Sequence, residues 1–334
     1  MNRGAVVGVT LSVMCACSSF EAGRELEDFD AIWQEVAQRY THLQTKQIDW
    51  IAVRDDLRPR LSGRVSAAES EKVLVELLAS LKDPHVWFRG SKGRINPYLS
   101  KRWLNDADAF DLDIPISRLS TNARTAADGR ITYGGMPNGL GYLYIRNFRD
   151  GVVDVGVGEA LGYLFDSPGL VLDVRGNQGG SQAEITRVVG RFTADTFPGL
   201  PTFVLGEPIE SPEVVSHGRG YFHPVAVLVD GRCFSAWESF AAMMGHLASV
   251  AIVGGVTAGG GGGFTPEQTG VIELPSGRQA GIPTAELRHY DHSPLEWFGV
   301  LPSILVPQSA ADIADGNDPR LEAAMLDLQR RGNG

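Results

Sequence analysis

Two segments constrain the fold of this chain most, because each joins an apolar run to a glycine-containing turn and a helical pattern. They are "GLVLDVRGNQGGSQAEITRVVGRF", from Gly169, and "PVAVLVDGRCFSAWESFAAMMGHL", from Pro224. Short continuous Val and Leu runs that alternate with helices are typical of strands buried on both faces. The sequence therefore predicts an α/β core with a largely parallel sheet.

The part of the chain before this core has a different pattern. Apolar residues recur at helical spacing from Phe29 to Leu43 and again from Val73 to Leu81. This periodicity predicts an N-terminal helical subdomain over residues 24–88. The polar residues 89–135 are interpreted as a connector with short strands, and residues 136–330 as the α/β core.

Charge and motif content exclude several classes of partner. The formal net charge is -10 and no basic block is present, so the phosphates of a nucleic acid would be repelled. No Cys/His cluster has the spacing of metal ligands, and the glycine-rich segments lack the nucleotide-binding patterns. We therefore expect neither a metal nor a cofactor.

The first residues, "MNRGAVVGVTLSVMCACSSF", predict an export signal. Arg3 precedes an apolar stretch from Ala5 to Met14, which is too short to span a bilayer permanently. The "MCAC" run resembles a lipobox in which Cys17 is lipidated, which favours a lipoprotein of the bacterial periplasm or outer membrane, anchored through Cys17. The lipoprotein-type signal peptide is assigned to residues 1–17, and an ordinary cleaved signal is the alternative. Only Cys233 then remains in the body, so an intrachain disulfide is excluded.

Ser235 is a candidate nucleophile because it follows an apolar strand and begins a helix. Free backbone N–H groups and the positive end of the helix dipole favour a developing oxyanion there. Ser235 and Glu238 also match a capping box, which is a purely structural device. The "GNQGG" segment likewise has two interpretations, an anion-binding turn or a tight strand-to-helix connection.

A serine nucleophile needs a base, and the sequence limits the choice. The last lysine of the chain is Lys101, so the core beyond it contains none. A lysine base would have to come from the helical subdomain, which makes histidine the better candidate.

The ordered segments of the chain resemble the C-terminal-processing and tricorn-core serine peptidases. Segments that carry the resemblance include "LASLKDPHVWF", "GLVLDVRGNQGG", "CFSAWESFA", "VAIVGGVTAGGGGG" and "EWFGVLPSILVP". The chain looks like the branch without a PDZ-sized insertion, which includes the interphotoreceptor retinoid-binding modules. The resemblance implies a ββα core of the crotonase-like and ClpP-like kind.

The resemblance also implies roles for particular residues. Ser235 in "SAWE" matches the nucleophile, His85 in "DPHV" the base and Glu296 in "EWFGVLP" a supporting acid. The oxyanion donors would be Ala236 with Gly179 or Gly180.

Two features depart from the processing-protease and tricorn patterns. The processing-protease lysine has no counterpart in residues 257–263, "TAGGGGG", and Pro84 replaces the serine that precedes the histidine in tricorn. The second departure leaves open how the base is oriented. As alternatives, His85 could cap the preceding helix, and Glu296 could be a solvated loop acid.

Together these observations predict an exported serine peptidase that cleaves a peptide or protein substrate. The rival is a catalytically inactive module that binds an apolar small molecule on the same fold. An acyl-CoA enzyme of the crotonase type is a third reading, but it would leave the Ser, His and Glu set without a role.

Overall fold

The computed structural model describes residues 14–106, 109–149, 151–177, 179–265 and 269–332. The predicted signal falls mainly on residues 1–13, which lie outside the described residues, as does the side chain of Cys17. The export and lipidation predictions therefore stay predictions. None of the described helices combines the length and the apolar character needed to cross a membrane.

The longest α-helices of the described residues are the first and the last. In chain order the helices are α1 (Met14–Arg39), α2 (Trp50–Leu57), α3 (Ala67–Ala79), α4 (Lys101–Asn105), α5 (Asp113–Ser117), α6 (Val153–Tyr163), α7 (Gln182–Gly190), α8 (Ala236–Gly245), α9 (Ala310–Ala314) and α10 (Pro319–Gly332). A 3₁₀ helix follows α2 at Arg58–Leu61.

The described strands form one large sheet and several small ones. In chain order they are β1 (Trp87–Gly90), β2 (Gly93–Ile95), β3 (Arg124–Ala126), β4 (Ile131–Gly135), β5 (Gly141–Ile145), β6 (Leu170–Asp173), β7 (Phe197–Pro198), β8 (Thr202–Val204), β9 (Glu207–Ile209), β10 (Glu213–Val214), β11 (Val225–Val229), β12 (Val250–Gly254), β13 (Gly262–Gly263), β14 (Val271–Glu273), β15 (Gln279–Gly281), β16 (Ala285–Leu287) and β17 (Ile304–Leu305).

The large sheet has the strand order β17-β12-β11-β6-β5-β4-β3 in the described residues. Strands β5, β6, β11, β12 and β17 are parallel to one another, whereas β4 pairs antiparallel with β5 and β3 pairs antiparallel with β4. The predicted mixed, largely parallel sheet with an N-terminal helical part is confirmed. Because the carboxyl ends of β6 and β11 are adjacent, the turns that follow them lie side by side.

Strand β11 shows why its sequence is apolar throughout. Val225, Val227 and Val229 pack in the cluster that contains helices α6, α7 and α8. Ala226 and Leu228 point to the opposite face, where α10 covers the sheet. Successive side chains of a strand alternate between faces, so a strand covered on both faces must be apolar at every position.

The helical subdomain has its own core, which a late segment of the chain completes. Helices α1 to α3 share this core with Ile272, Ala280 and Ile282 of the β14-β15 hairpin. Strand β15 pairs antiparallel with β1, and Arg278 contacts Asp28 of α1 at 2.8 Å. The subdomain therefore includes residues far beyond the predicted range 24–88.

The core sheet also begins earlier than the predicted boundary at residue 136. Strands β3 and β4 fall within the predicted connector, yet both belong to the large sheet. Strand β3 pairs with β4, and β4 pairs with β5. Their short length and the glycines at Gly134 and Gly135 weaken the strand pattern in the sequence. The connector proper is thus shorter than predicted.

Candidate active site

Ser235 lies in the turn between β11 and α8 with a backbone conformation that L-residues rarely adopt. Its φ is 64° and its ψ is -128°, in a region that glycine usually occupies. The carboxylate of Asp230 stabilises the turn by accepting the N–H groups of Arg232 and Cys233, each at 3.0 Å. A constrained strand-to-helix turn of this kind presents its side chain away from the core.

The surroundings of Ser235 bear on both interpretations of this residue. Ser235 and Glu238 form a capping box, in which the Ser235 N–H donates to Glu238 Oε2 at 3.2 Å. The Ser235 hydroxyl oxygen also lies 2.8 Å from His85 Nε2. Capping the helix and contacting an imidazole are therefore compatible at this residue.

His85 reaches the serine from a tight turn that follows helix α3. The backbone of residues 83–86 closes with an N–H···O bond of 3.1 Å, and Pro84 occupies the second position, where its fixed φ suits a β-turn. His85 is 8% exposed, and its ring stacks on Phe234 with centroids 4.3 Å apart. The expected approach of His85 to Ser235, across 150 positions of sequence, is present. His85 points into the site rather than capping α3.

The glycine-rich loop packs closely against this imidazole. A Cβ atom on Gly260 would lie 2.1 Å from Phe234 Cε2 and 3.1 Å from His85 Cε1. On Gly262 it would lie 2.7 Å from Pro283 Cβ and 3.2 Å from His85 Nδ1. Close approach to the histidine and its neighbours thus explains the glycines at 260 and 262, whereas Gly259 and Gly261 lie against the backbone of Trp297 and Glu296.

Glu238 connects this loop to the serine. Its carboxylate accepts the N–H groups of Gly259 at 2.7 Å and Gly260 at 2.6 Å, the Thr257 hydroxyl, and the Ser235 N–H. Burial raises the pKa of Glu238, and these hydrogen bonds act in the opposite direction. Glu238 therefore fixes the nucleophile turn and the loop behind the imidazole relative to each other.

The predicted oxyanion donors differ in their surroundings. The Gly179 N–H donates to Asn177 Oδ1 at 3.0 Å, which occupies that donor. Gly180 and Ala236 line the same cleft as Ser235, and neither N–H has a hydrogen-bond partner within the described part of the chain. The geometry favours Gly180 and Ala236 as the pair of free donors.

A buried charged cluster lies behind His85, and it contains Glu296. Lys46 Nζ lies 2.6 Å from Glu296 Oε1 and 3.5 Å from Asp83 Oδ2. Tyr40 accepts a hydrogen bond from Lys46 at 2.9 Å and donates one to Asp83 Oδ2 at 2.8 Å. Glu296 is 1% exposed, so its interpretation as a solvated loop acid is wrong.

The two carboxyl groups of this cluster differ in their affinity for a proton. Burial and the charge of Asp83 raise the pKa of Glu296 to about 8, against the opposing effect of Lys46. Burial also disfavours ionisation of Asp83, but Lys46 and His85 outweigh it and hold the pKa of Asp83 well below its usual range. With one ammonium group for two buried carboxyl groups, Asp83 carries the negative charge and Glu296 takes up a proton first.

His42 adds a neutral imidazole to the cluster. Burial lowers the pKa of His42 to about 3. Ligand atoms of His42, Asp83 and Glu296 lie within 4.8 Å of one another, as metal ligands would. The ammonium group of Lys46 already supplies the cation for these carboxyl groups, so a metal ion would have to displace a buried charge. The cluster fits an internal ion pair better than a metal site.

Ser235 opens onto a cleft of about 1210 Å³. The β13-β16-β8-β9 sheet forms one side, and the first residues of α7 and α8 form the other. Its apolar lining includes Leu200, Val204, Ile209, Phe264 and Leu287. Among the described lining residues, the charged side chains are those of Glu210 and Glu213. A mostly apolar lining with two acidic side chains disfavours a compact anionic ligand.

Sequence reasoning did not assign a role to Asp83, Lys46 or Tyr40. The "DPH" turn could have indicated Asp83, because Asp at the first position of a Pro-containing turn lies beside the residue two positions on. No local pattern connects Lys46 with Glu296 across 250 positions. Cys233, two residues before Ser235, is fully buried.

Comparison with known proteins identifies the same architecture. The family model described as peptidase family S41 matches residues 139–306, half of the chain, and the tricorn protease C1 domain matches residues 25–79. A candidate peptidase from Parabacteroides merdae has a similar structure, with a TM-score of 0.79, 24% identity, and coverage of 91% of this chain and 96% of its own.

Two further solved structures share the fold at lower identity. Mature CPAF bound to lactacystin has a TM-score of 0.64 and 12% identity, with 94% of this chain and 97% of its own covered. The photosystem II D1 C-terminal processing protease has a TM-score of 0.56 and 14% identity, with 92% and 97% covered.

Proposed function

The chain belongs to peptidase family S41, and from this premise we propose that it cleaves peptide bonds with Ser235 as nucleophile and His85 as general base. One observation carries the proposal: Ser235 Oγ lies 2.8 Å from His85 Nε2 at the wall of a cleft. A serine needs an adjacent base within hydrogen-bond distance to attack a carbonyl at neutral pH.

The first half of the reaction follows from these positions. Ser235 Oγ attacks the scissile carbonyl carbon while His85 Nε2 takes up the hydroxyl proton. The carbonyl oxygen becomes an oxyanion, which the N–H groups of Gly180 and Ala236 stabilise. As the C–N bond breaks, His85 donates its proton to the leaving amine and an acyl-enzyme remains.

The second half repeats the sequence with water. His85 removes a proton from the water molecule that attacks the acyl carbon, and it then returns that proton to Ser235 Oγ as the new carboxyl group leaves. Glu296 has no part in these steps, because its carboxyl group contacts Lys46 rather than the imidazole.

A fluorophosphonate probe tests the nucleophile directly. We expect wild type to be labelled and Ser235→Ala to remain unlabelled, with peptide cleavage reduced by at least about 10⁴-fold. The matched control is Ser239→Ala, a second serine on the wall of the same cleft, which should still be labelled. Absence of labelling in the folded wild type would instead favour the inactive ligand-binding module.

We also propose that the protein is exported and anchored through Cys17, and the support is the sequence pattern around Arg3, Ala5–Met14 and Cys17. Metabolic labelling with a palmitate analogue in a bacterial host should mark wild type and not Cys17→Ser. Labelling that is equal in both proteins would contradict the anchor, and a shortened but unlabelled wild type would indicate an ordinary cleaved signal.

A further inference from the structure

The family resemblance leaves the orientation of the His85 ring unexplained, because Pro84 occupies the position of the serine that precedes the tricorn histidine. Within the described residues, His85 Nδ1 has no hydrogen-bond partner. Its nearest charged neighbour is Asp83, with Oδ1 at 3.7 Å. The acid that could orient the ring is therefore two residues away in sequence.

The turn itself brings Asp83 and His85 together. The His85 N–H donates to Asp83 Oδ1 at 2.8 Å, and this is the same oxygen that faces Nδ1. Pro84 has no N–H to compete for that oxygen and keeps the turn rigid. The side chain of Asp83 is fully buried, so water does not replace these contacts.

Tyr40 hydrogen-bonds the other carboxylate oxygen of Asp83 at 2.8 Å, and Lys46 holds the turn that carries Asp83. Its ammonium group donates to the carbonyl oxygens of Leu81 at 3.1 Å and Lys82 at 3.2 Å. These are the two residues immediately before Asp83. Lys46 is also the cation nearest to Asp83 Oδ2, at 3.5 Å, and its own side chain is 1% exposed. The buried ammonium group of Lys46 thus favours the ionised form of Asp83 and holds the "DPH" turn in place.

We propose that Asp83, held in place by Lys46, is the positioning acid of this site, and that Glu296 is not. In this assignment, which rests on the proposed function, Asp83 keeps the His85 proton on Nδ1 and leaves Nε2 free to accept the Ser235 proton. It also stabilises the imidazolium that forms when Ser235 attacks. The groups that face Asp83 are Tyr40, His42, Lys46, His85 and Glu296.

The test compares isosteric variants of the two acids. Asp83→Asn should lower kcat/KM by about 10²- to 10⁴-fold, because the amide neither stabilises an imidazolium nor selects the tautomer. The acidic limb of its pH profile should move to lower pH, which a purely structural defect would not cause. Glu296→Gln should stay within about threefold of wild type near pH 7, because this side chain contacts Lys46 rather than the imidazole and glutamine keeps an acceptor oxygen for the ammonium group.

A Lys46 variant tests the second half of the proposal. Lys46→Met removes the buried cation and should reduce kcat/KM toward the level of Asp83→Asn, whereas the double variant Lys46→Met/Asp83→Asn should lose little more, since both act through one contact. A loss in Glu296→Gln equal to that in Asp83→Asn would overturn the assignment of the acid. Fully additive losses in the double variant would overturn the role of Lys46.

A measurement on wild type keeps the proposal testable if a buried variant does not fold. NMR of ¹⁵N-labelled imidazole, assigned with His85→Gln, should show the His85 proton on Nδ1, and a proton on Nε2 would contradict the proposal. Wild type that is folded but neither cleaves peptides nor reacts with the fluorophosphonate would refute the proposed function instead. The tautomer would still report on Asp83 in that case.

Discussion

The proton on Glu296 has a thermodynamic consequence that can be measured without a substrate. The pKa of Glu296 is about 8 in the folded protein and its ordinary value is 4.5. Between these values the folded protein holds a proton that the unfolded chain has released. The free energy of unfolding then falls as pH rises, by about 1.4 kcal/mol per pH unit at most.

His42 opposes this slope over part of the range. Its pKa is about 3 in the folded protein, against an ordinary value of 6.5, so the unfolded chain binds the extra proton between these values. The stability contributed by neutral His42 therefore rises with pH up to about 6.5. The effects of His42 and Glu296 on stability cancel between about pH 4.5 and 6.5, and only that of Glu296 remains from about pH 6.5 to 8. Over this upper range the free energy of unfolding of wild type falls by about 2 kcal/mol.

The variant Glu296→Gln isolates this effect because glutamine keeps the shape and an acceptor oxygen for Lys46 but does not titrate. We expect its stability relative to wild type to improve by about 2 kcal/mol between about pH 6.5 and 8. Other buried acids, such as Glu238 and Asp230, are common to both proteins, so their contributions cancel in the difference.

Urea unfolding followed by tryptophan fluorescence at a series of pH values provides the measurement. The matched control is Glu207→Gln on exposed strand β9, whose difference from wild type should not change with pH. A constant difference between Glu296→Gln and wild type across this range would refute the reasoning, since Glu296 would then be ionised beside Lys46 in the folded protein.

Two further predictions concern the loop and the cleft. Gly260→Ala should lower kcat/KM at least tenfold, because its Cβ would lie 2.1 Å from Phe234 Cε2. The control Gly162→Ala, which has open space around the new Cβ, should retain wild-type activity. Similar activity in the two variants would contradict this account of the glycine-rich loop. The double variant Glu210→Gln/Glu213→Gln should lose a preference for peptides with lysine over glutamate near the cleaved bond, because these residues supply the charged lining of the cleft in the described part of the chain. Competition between matched peptides measures that preference, and an unchanged ratio in the variant would contradict it.

The central fold was predictable because its strands are unusual in sequence. A strand such as Val225–Val229, buried on both faces, must be apolar at every position, and the helix after it begins with a capping pattern. Strands β3 and β4 were missed as sheet members because β3 has only three residues and β4 ends in two glycines. The β14-β15 hairpin was recognisable as strands, but its partner β1 is nearly two hundred positions away, and no local pattern encodes that pairing.

The site could be predicted only to the extent that its residues stand in short motifs. Ser235, His85 and Glu296 were singled out because the resemblance supplies their motifs, and the structure brings the first two within 2.8 Å of each other. The choice between Gly179 and Gly180 depends on an Asn177 side chain whose rotamer the sequence does not specify. The ionic link from Lys46 to Glu296 likewise depends on burial of both groups in one place, which only the tertiary fold determines.

The order of segments along the chain has a consequence for how the protein becomes active during synthesis. Residues 271–282 complete the helical subdomain that carries His85, because they pair with β1 and contact Asp28. These residues are translated well after Ser235. A growing polypeptide on the ribosome therefore carries Ser235 and His85 before the hairpin can pair with β1. Under the proposed function, we expect peptide hydrolysis to begin only after this late pairing has formed.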